Sequence, residues 1–245
     1  RILRRQILGE RRGRRLQRGR RIVRRRRRLG ELVMKNVKAD QFFTGVEKEK
    51  IRNTTRDIET RTIGEVAVVV FDSSDPYLDA EAVGGMLMGS LLSFVVTFFF
   101  FHASLWWFIP FNFLCFFPSR YLVRKIPAAK FVFIGARRKD HAVEQMALRV
   151  FYEKGLYKTK NNTGVLFFLS LLERKVRILA DKGIHEKIGQ ETLDMFARTV
   201  SQGIKEGRAC DALCKAIEDA GSLLARHFPV TPGDINELPD DVITG

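Results

Sequence analysis

Hydrophobic and polar positions change their period several times along this 245-residue chain, and each change marks an element. Thr44 and Glu47 stand at the Thr-x-x-Glu spacing of a capping box, so a polar helix is expected to open there and run to about Arg61. Gly64 leads into EVAVVVF, Glu65–Phe71, a β-branched run closed by the turn DSSDP, which reads as a strand. Lys139 to Lys154 carries Val143, Met146, Ala147, Val150 and Phe151 on one helical face and stops at Gly155. After KTKNNT comes GVLFFLSLL, Gly164–Leu172, a continuous apolar run typical of a strand covered on both faces. The turn Glu173–Lys175 joins it to a further strand, Val176–Ala180, closed by Asp181 and Gly183, and the two form an antiparallel pair. Two amphipathic helices follow. One spans about Gln190–Lys205 with Leu193, Phe196, Ala197, Val200 and Ile204 inward. The other spans Ala209–His227 with Leu213, Ala216, Ile217, Leu223 and Leu224 inward. From Phe228 onward, Pro229, Pro232 and Pro239 predict an extended tail.

One segment fits none of these soluble patterns. Between Glu81 and Arg120 there are 38 residues without Asp, Glu, Lys or Arg, among them LLSFVVTFFFFHASLWWFIPFNFLCFF. About 20 helical residues cross a bilayer core, so this length is too long for one span and just enough for two joined by a tight turn. His102, Ala103 and Ser104 are the polar interruption, and Trp106 and Trp107 beside them suit a membrane–water interface. The expected hairpin runs from Val83 to about Phe101 and from about Leu105 to Val123, with Pro110 tolerated inside the second helix. A single tilted span and a buried core hairpin are the alternatives. Arg120, Arg124, Lys125, Lys130, Arg137, Arg138 and Lys139 follow the apolar segment and predict that its flanks are cytoplasmic.

The hairpin has a consequence for the rest. One helix and one strand before it cannot close a core, so the strand Glu65–Phe71 needs partners from beyond it. The order predicts an α/β fold, a small mixed β-sheet flanked by helices and interrupted by a transmembrane helical hairpin. The divisions are an Arg-rich segment at 1–33, a first part of the domain at 34–80, the hairpin at 81–123, the second part at 124–228 and the tail at 229–245.

Net charge changes the picture less than it promises. The chain has a formal charge of +15, but residues 1–33 hold 15 Arg and 2 Glu, and the other 212 residues hold 28 basic and 26 acidic side chains. A uniformly basic nucleic-acid-binding domain is thereby excluded, and binding of nucleic acid or anionic lipid is expected only of the Arg-rich arm. That arm has no Lys, aromatic residue or capping pattern, and it is expected to be disordered. Met34 opens a conventional stretch, MKNVKADQFF, and the expectation is that translation begins there. Three cysteines exclude a disulfide-scaffolded mini-protein.

The stretch NNTGVLFFLSLLERKVRILADKGIHEKI, with the helical IKEGRACDALCKAIEDAGSLLARHFP after it, resembles the TPM domain family, which includes a thylakoid-lumen phosphatase. The ending FPVTPGDINELPDDVI resembles its membrane-bound bacterial branch, in which a transmembrane hairpin splits the domain after a strand like RTIGEVAVVV. The resemblance covers about Phe42 to Val242. It implies integral placement in a bacterial inner membrane; the lipid bilayer and other membrane or envelope proteins are the expected partners.

No Walker loop, dinucleotide fingerprint, HExxH or GxSxG is present, and no catalytic residue is assigned. His102, His141, His185 and His227 are scattered, and Cys210 and Cys214, four apart on one helical face, lack further ligands beside them. The constellation with chemical potential is oxygen at strand ends. Asp72 and Asp75 follow the first strand, Asn161 and Asn162 precede the second, and Asp181 ends the third. Converging there, Asp72, Asp75, Asn162 and Asp181 would suit a hard cation such as Ca²⁺ or Mg²⁺. The resemblance implies such a site, because some family members are metal-linked acid phosphatases. Where those members carry an acidic residue before the Gly-Val-Leu strand, this chain has Asn161 and Asn162, and ADKGIHEKI departs from their VGxGLE-like loop. These departures favour a non-enzymatic interaction or quality-control module over a divalent-cation-dependent phosphatase.

Overall fold

The computed structural model describes residues 38–101, 105–159, 161–230 and 239–245. The Arg-rich segment, the start at Met34, the polar interruption at His102, Ala103 and Ser104, and Pro232 lie outside the described residues.

A short helix α1 (Ala39–Phe42) precedes α2 (Gly45–Glu59), whose N-terminus carries the expected capping box. The Thr44 hydroxyl accepts from the Glu47 N–H at 3.3 Å, and the Glu47 carboxylate accepts from the Thr44 N–H at 2.9 Å. Strand β1 (Glu65–Phe71) follows with the predicted boundaries. The chain then leaves the sheet through α3 (Leu78–Phe100), α4 (Leu105–Lys125) and α5 (Pro127–Phe133), and returns along α6 (Ala136–Glu153) and a 3₁₀ turn, Leu156–Lys158. Strands β2 (Gly164–Ser170) and β3 (Lys175–Ala180), helices α7 (Lys182–Ile188), α8 (Gln190–Lys205) and α9 (Ala209–His227), and the two-residue strand β4 (Ile243–Thr244) complete the order.

The strands form one mixed sheet in the order β3-β2-β1-β4. β1 runs parallel to β2, with Glu65 opposite Gly164 and Phe71 opposite Ser170, and β3 turns back antiparallel on β2. The extended tail does more than was expected of it, since β4 adds a parallel edge opposite Val69 and Val70. It covers only the last part of β1. Near the start of β1, the Val66 N–H donates to the Glu59 carboxylate at 3.0 Å instead.

Alternation along the central strands divides the core. Val66, Val68, Val70, Val165, Phe167 and Leu169 face α2, α8 and α9, where they meet Ile51, Phe196, Leu213 and Ile217. Ala67, Val69, Leu166 and Phe168 face the other way, against Val143, Ala147, Val150 and Phe151 of α6. Both faces of β1 and β2 are covered, which is why their sequences read as unbroken apolar runs.

Helices α3 and α4 stand apart from this core and pack on each other. The buried positions of α3 include Glu81, Gly85, Gly89, Ser93 and Thr97, a row four residues apart. A Cβ on Gly89 would lie 3.1 Å from the Phe116 Cα, so glycine there sets how closely the two backbones approach. Ser93 donates to the Phe108 carbonyl at 3.0 Å, and Ser90 to the Asn112 side chain at 3.2 Å. Among the described residues, α3 alone is long and apolar enough to cross a membrane; α4 is not. α3 begins at Leu78 rather than Val83, with Asp79 and Glu81 in its first turn, and α4 extends to Lys125.

Candidate functional site

The parallel pairing of β1 and β2 fixes where each candidate ligand sits. Asp72 and Asp75 follow the carboxyl end of β1, whereas Asn162 precedes the amino end of β2 and Asp181 lies beside Gly164 at that same end. Seven residues of strand separate the two pairs, about 20 Å at ~3.3 Å per residue. The four residues therefore do not converge: they make two separate pairs. Loops after β1 and before β2 could meet only if those strands ran antiparallel.

At the carboxyl end, both aspartates act on the backbone. Asp72 accepts from the Ala39 N–H at 2.5 Å, at the start of α1. Asp75 accepts from the Tyr77 N–H at 2.7 Å, and its other oxygen is 3.4 Å from Arg138. That turn puts Tyr77 in the left-handed region (φ 51°) immediately before α3. The fully buried group there is Glu173, at the turn between β2 and β3. Its carboxylate accepts from the Tyr77 hydroxyl at 2.6 Å, from the Ser74 N–H at 3.0 Å and from the Ser170 hydroxyl. Burial, and then the hydrogen bond to Glu173, raise the pKa of the Tyr77 phenol well above its ordinary value. The cluster is internally satisfied and ties the start of α3 to the sheet. Nearby, Glu81 of α3 is buried and pairs with Lys130 of α5 at 2.8 Å.

At the amino end, Asn162 adopts a left-handed conformation (φ 54°) and its N–H donates to the Thr159 carbonyl at 3.0 Å. The Asn161 and Asn162 carbonyls abut the start of α7, where a Cβ on Gly183 would lie 3.2 and 2.8 Å from them. Asp181 caps α7, one oxygen accepting from the Lys182 N–H at 2.7 Å. Its other oxygen is buried with no hydrogen-bond partner among the described residues.

A Ca²⁺ ion takes six to eight oxygens. At the amino end one free Asp181 oxygen lies near the Asn161 and Asn162 backbone carbonyls, while Asp72 and Asp75 are engaged with backbone N–H groups at the other end, so the four candidates do not form one Ca²⁺ ligand set. Among the described residues no group of three or more His, Cys, Asp or Glu side chains gathers as a metal site. Cys210 and Cys214 are both buried in α9, and burial, reinforced by the neighbouring Cys214, pushes the Cys210 thiol up to about 12. That thiol packs rather than reacts at neutral pH.

Sequence reasoning missed Glu173, because a charged residue in a tight turn ordinarily faces water. It also missed Glu59, which burial chiefly lifts to about 9. The available signal was position: each lies within a few residues of a strand end whose partner comes from the far side of the hairpin.

Known proteins agree with this fold. The TPM domain model matches residues 128–223, from α5 into α9. The NMR structure of the BA42 protein from the psychrophilic bacterium Bizionia argentinensis is similar, with a TM-score of 0.54 and 22% identity over 85% of this chain and 99% of that one. Comparison with curated proteins returns no match. The matched segment supplies β2, β3 and their helices, and β1, from before the hairpin, completes the sheet they need: residues 128–223 match the TPM domain, and the sheet is closed by a strand from outside that match.

Proposed function

We propose that the protein is a membrane-anchored TPM domain in which α3 and α4 cross a bacterial inner membrane as a hairpin. The domain stands on the cytoplasmic side and serves as a binding module for other membrane or envelope proteins. One observation carries the anchoring. The outward faces of α3 and α4 are large and apolar (Phe99 is 73% exposed and Phe113 70%), while the glycine, serine and threonine row lies between the helices. Water would favour the reverse, and hydrocarbon favours this arrangement, in which small residues bring helices together. Cations follow the hairpin at Arg120, Arg124, Lys125 and Arg137, which supports a cytoplasmic domain.

Division of the candidate ligands between opposite ends of the sheet supports a module over a phosphatase. The unpartnered oxygen of Asp181 is what favours the second reading, a divalent-cation-dependent hydrolysis of phosphate esters. Two measurements test both. Membrane fractions carrying a C-terminal topology reporter should retain the chain after carbonate washing and place the reporter in the cytoplasm. Release by carbonate would sink the anchoring, and a reporter on the far side would sink the orientation. Turnover of a generic phosphate ester with Ca²⁺ or Mg²⁺, abolished by Asp181→Ala, would replace the module with the enzyme.

A further inference from the structure

We infer that the base of the hairpin is a seat for anionic phospholipid headgroups, built by Arg124 and Lys125 at the end of α4 and Arg137 at the start of α6. The inference rests on the hairpin lying in the bilayer. Residues 120–139 contain seven cations and no carboxylate, and the fold sorts those seven into two groups.

Three are engaged within the protein. Lys130 is half-buried against Glu81 at 2.8 Å. Arg138 reaches Asp75 at 3.4 Å and Asp79 at 3.5 Å. Lys139 is buried, donating to the Phe131 carbonyl at 3.0 Å with its ammonium 3.2 Å from the centre of the Phe131 ring. The other four, Arg120, Arg124, Lys125 and Arg137, are exposed, and no carboxylate among the described residues pairs with them; Lys125 lies 5.7 Å from the centre of the exposed Tyr121 ring.

Their surroundings select the counter-ion. Large apolar side chains stand exposed between these cations: Leu122 at 46%, Ile126 at 41% and Val132 at 75%. A stretch of chain that alternates exposed cations with exposed apolar groups suits the headgroup boundary, where phosphate and acyl chain are both at hand. A soluble polyanion would leave the apolar half in water. The levels agree as well. Arg124 and Lys125 end a helix that starts at the opposite interface, and Arg120 lies one turn deeper, within reach of the headgroups by extending its stem. Juxtamembrane cations gain about fivefold each in affinity for an anionic leaflet.

A local reporter tests this without interference from the Arg-rich segment. The full chain carrying Ile126→Trp, with Trp106→Phe and Trp107→Phe to remove other indoles, is reconstituted in mixed phosphatidylglycerol and phosphatidylcholine. Bromine is placed on one lipid or the other, and quenching reads the lipid in contact at position 126. The expected result is quenching by brominated phosphatidylglycerol above its bulk share. The excess should fall by up to about fivefold per cation when Arg124→Gln, Lys125→Gln and Arg137→Gln are added, and should fall again with salt. Equal quenching by both lipids, or an excess unchanged by the three substitutions, overturns the seat while carbonate-resistant anchoring keeps the hairpin. Release of the parent chain by carbonate overturns both.

Discussion

Helices α3 and α9 are of similar length, and they bury opposite kinds of residue. α9 buries Leu213, Ile217 and Leu224 against the sheet and turns Asp211, Lys215 and Glu218 outward. α3 buries Gly85, Gly89, Ser93 and Thr97 and turns its phenylalanines outward. Length and helical propensity do not separate them; the sign of the inside–outside pattern does. In α9 the driving force is removal of apolar surface from water. In the bilayer proposed for α3 that force is absent between the helices, and close backbone approach with a few hydroxyl hydrogen bonds takes its place. One chain thus folds by two rules, divided at the Tyr77–Glu173 cluster.

The same substitution made under each rule should give the widest contrast. Phe167 is fully buried at the centre of the sheet, and Phe167→Ala is expected to cost about 3–5 kcal/mol. Phe99 is 73% exposed on α3, and Phe99→Ala should leave unfolding of the domain within about 0.5 kcal/mol of the parent. Urea unfolding of the full chain in mild micelles measures both. Comparable losses would mean that the hairpin and the domain share one core.

A smaller effect probes the hairpin alone. Gly89→Leu puts a side chain where a Cβ already meets the Phe116 backbone at 3.1 Å, so the helices must part, at about 1–3 kcal/mol. With Cys115→Ser, cysteines at Ser90→Cys and Asn112→Cys replace side chains now 3.2 Å apart and should cross-link readily. Gly89→Leu should reduce that yield several-fold and leave the domain's urea midpoint where it was. An undiminished yield would show that the glycine row does not set the separation.

Legibility from sequence followed the range of the interactions. The capping box at Thr44, the strand Glu65–Phe71 and the helices Gln190–Lys205 and Ala209–His227 stand where the pattern put them, because each is specified by residues within one or two turns. Short elements escaped: α5 and α7 have seven residues each, too few to show a helical period, and β4 has two. The division of the four candidate ligands between two ends of the sheet was hidden for a different reason. Their residue types and loop positions were legible, but which end of the sheet each loop occupies depends on strand direction. β1 and β2 are parallel partners separated by the hairpin, so the loop leaving one and the loop entering the other lie at opposite ends. Burial of Glu173 was hidden likewise, since Tyr77 and Ser74 reach it across 96 and 99 residues of chain.

A test by pH concerns the edge of β1 that β4 leaves uncovered. Glu59 closes it by accepting from the Val66 N–H at 3.0 Å. Burial is the main cause lifting its pKa from 4.5 to about 9, and the hydrogen bond with Asp240 adds to the lift while the one from Val66 opposes it. At neutral pH the carboxyl is therefore protonated in the folded chain and ionised in the unfolded one. Folding takes up a proton, so the contribution is complete below 4.5 and is lost as pH rises through about 9, at no more than about 1.4 kcal/mol per pH unit. Glu59→Gln mimics the protonated form, with an oxygen for Val66 and an NH₂ for Asp240, and cannot ionise. Urea midpoints of the two chains should coincide below pH 4.5, then diverge as the parent weakens and the variant does not. Parallel stability curves for the two chains would mean that Glu59 is ionised in the fold, and the uncovered edge would then be held by a charge rather than by a shared proton.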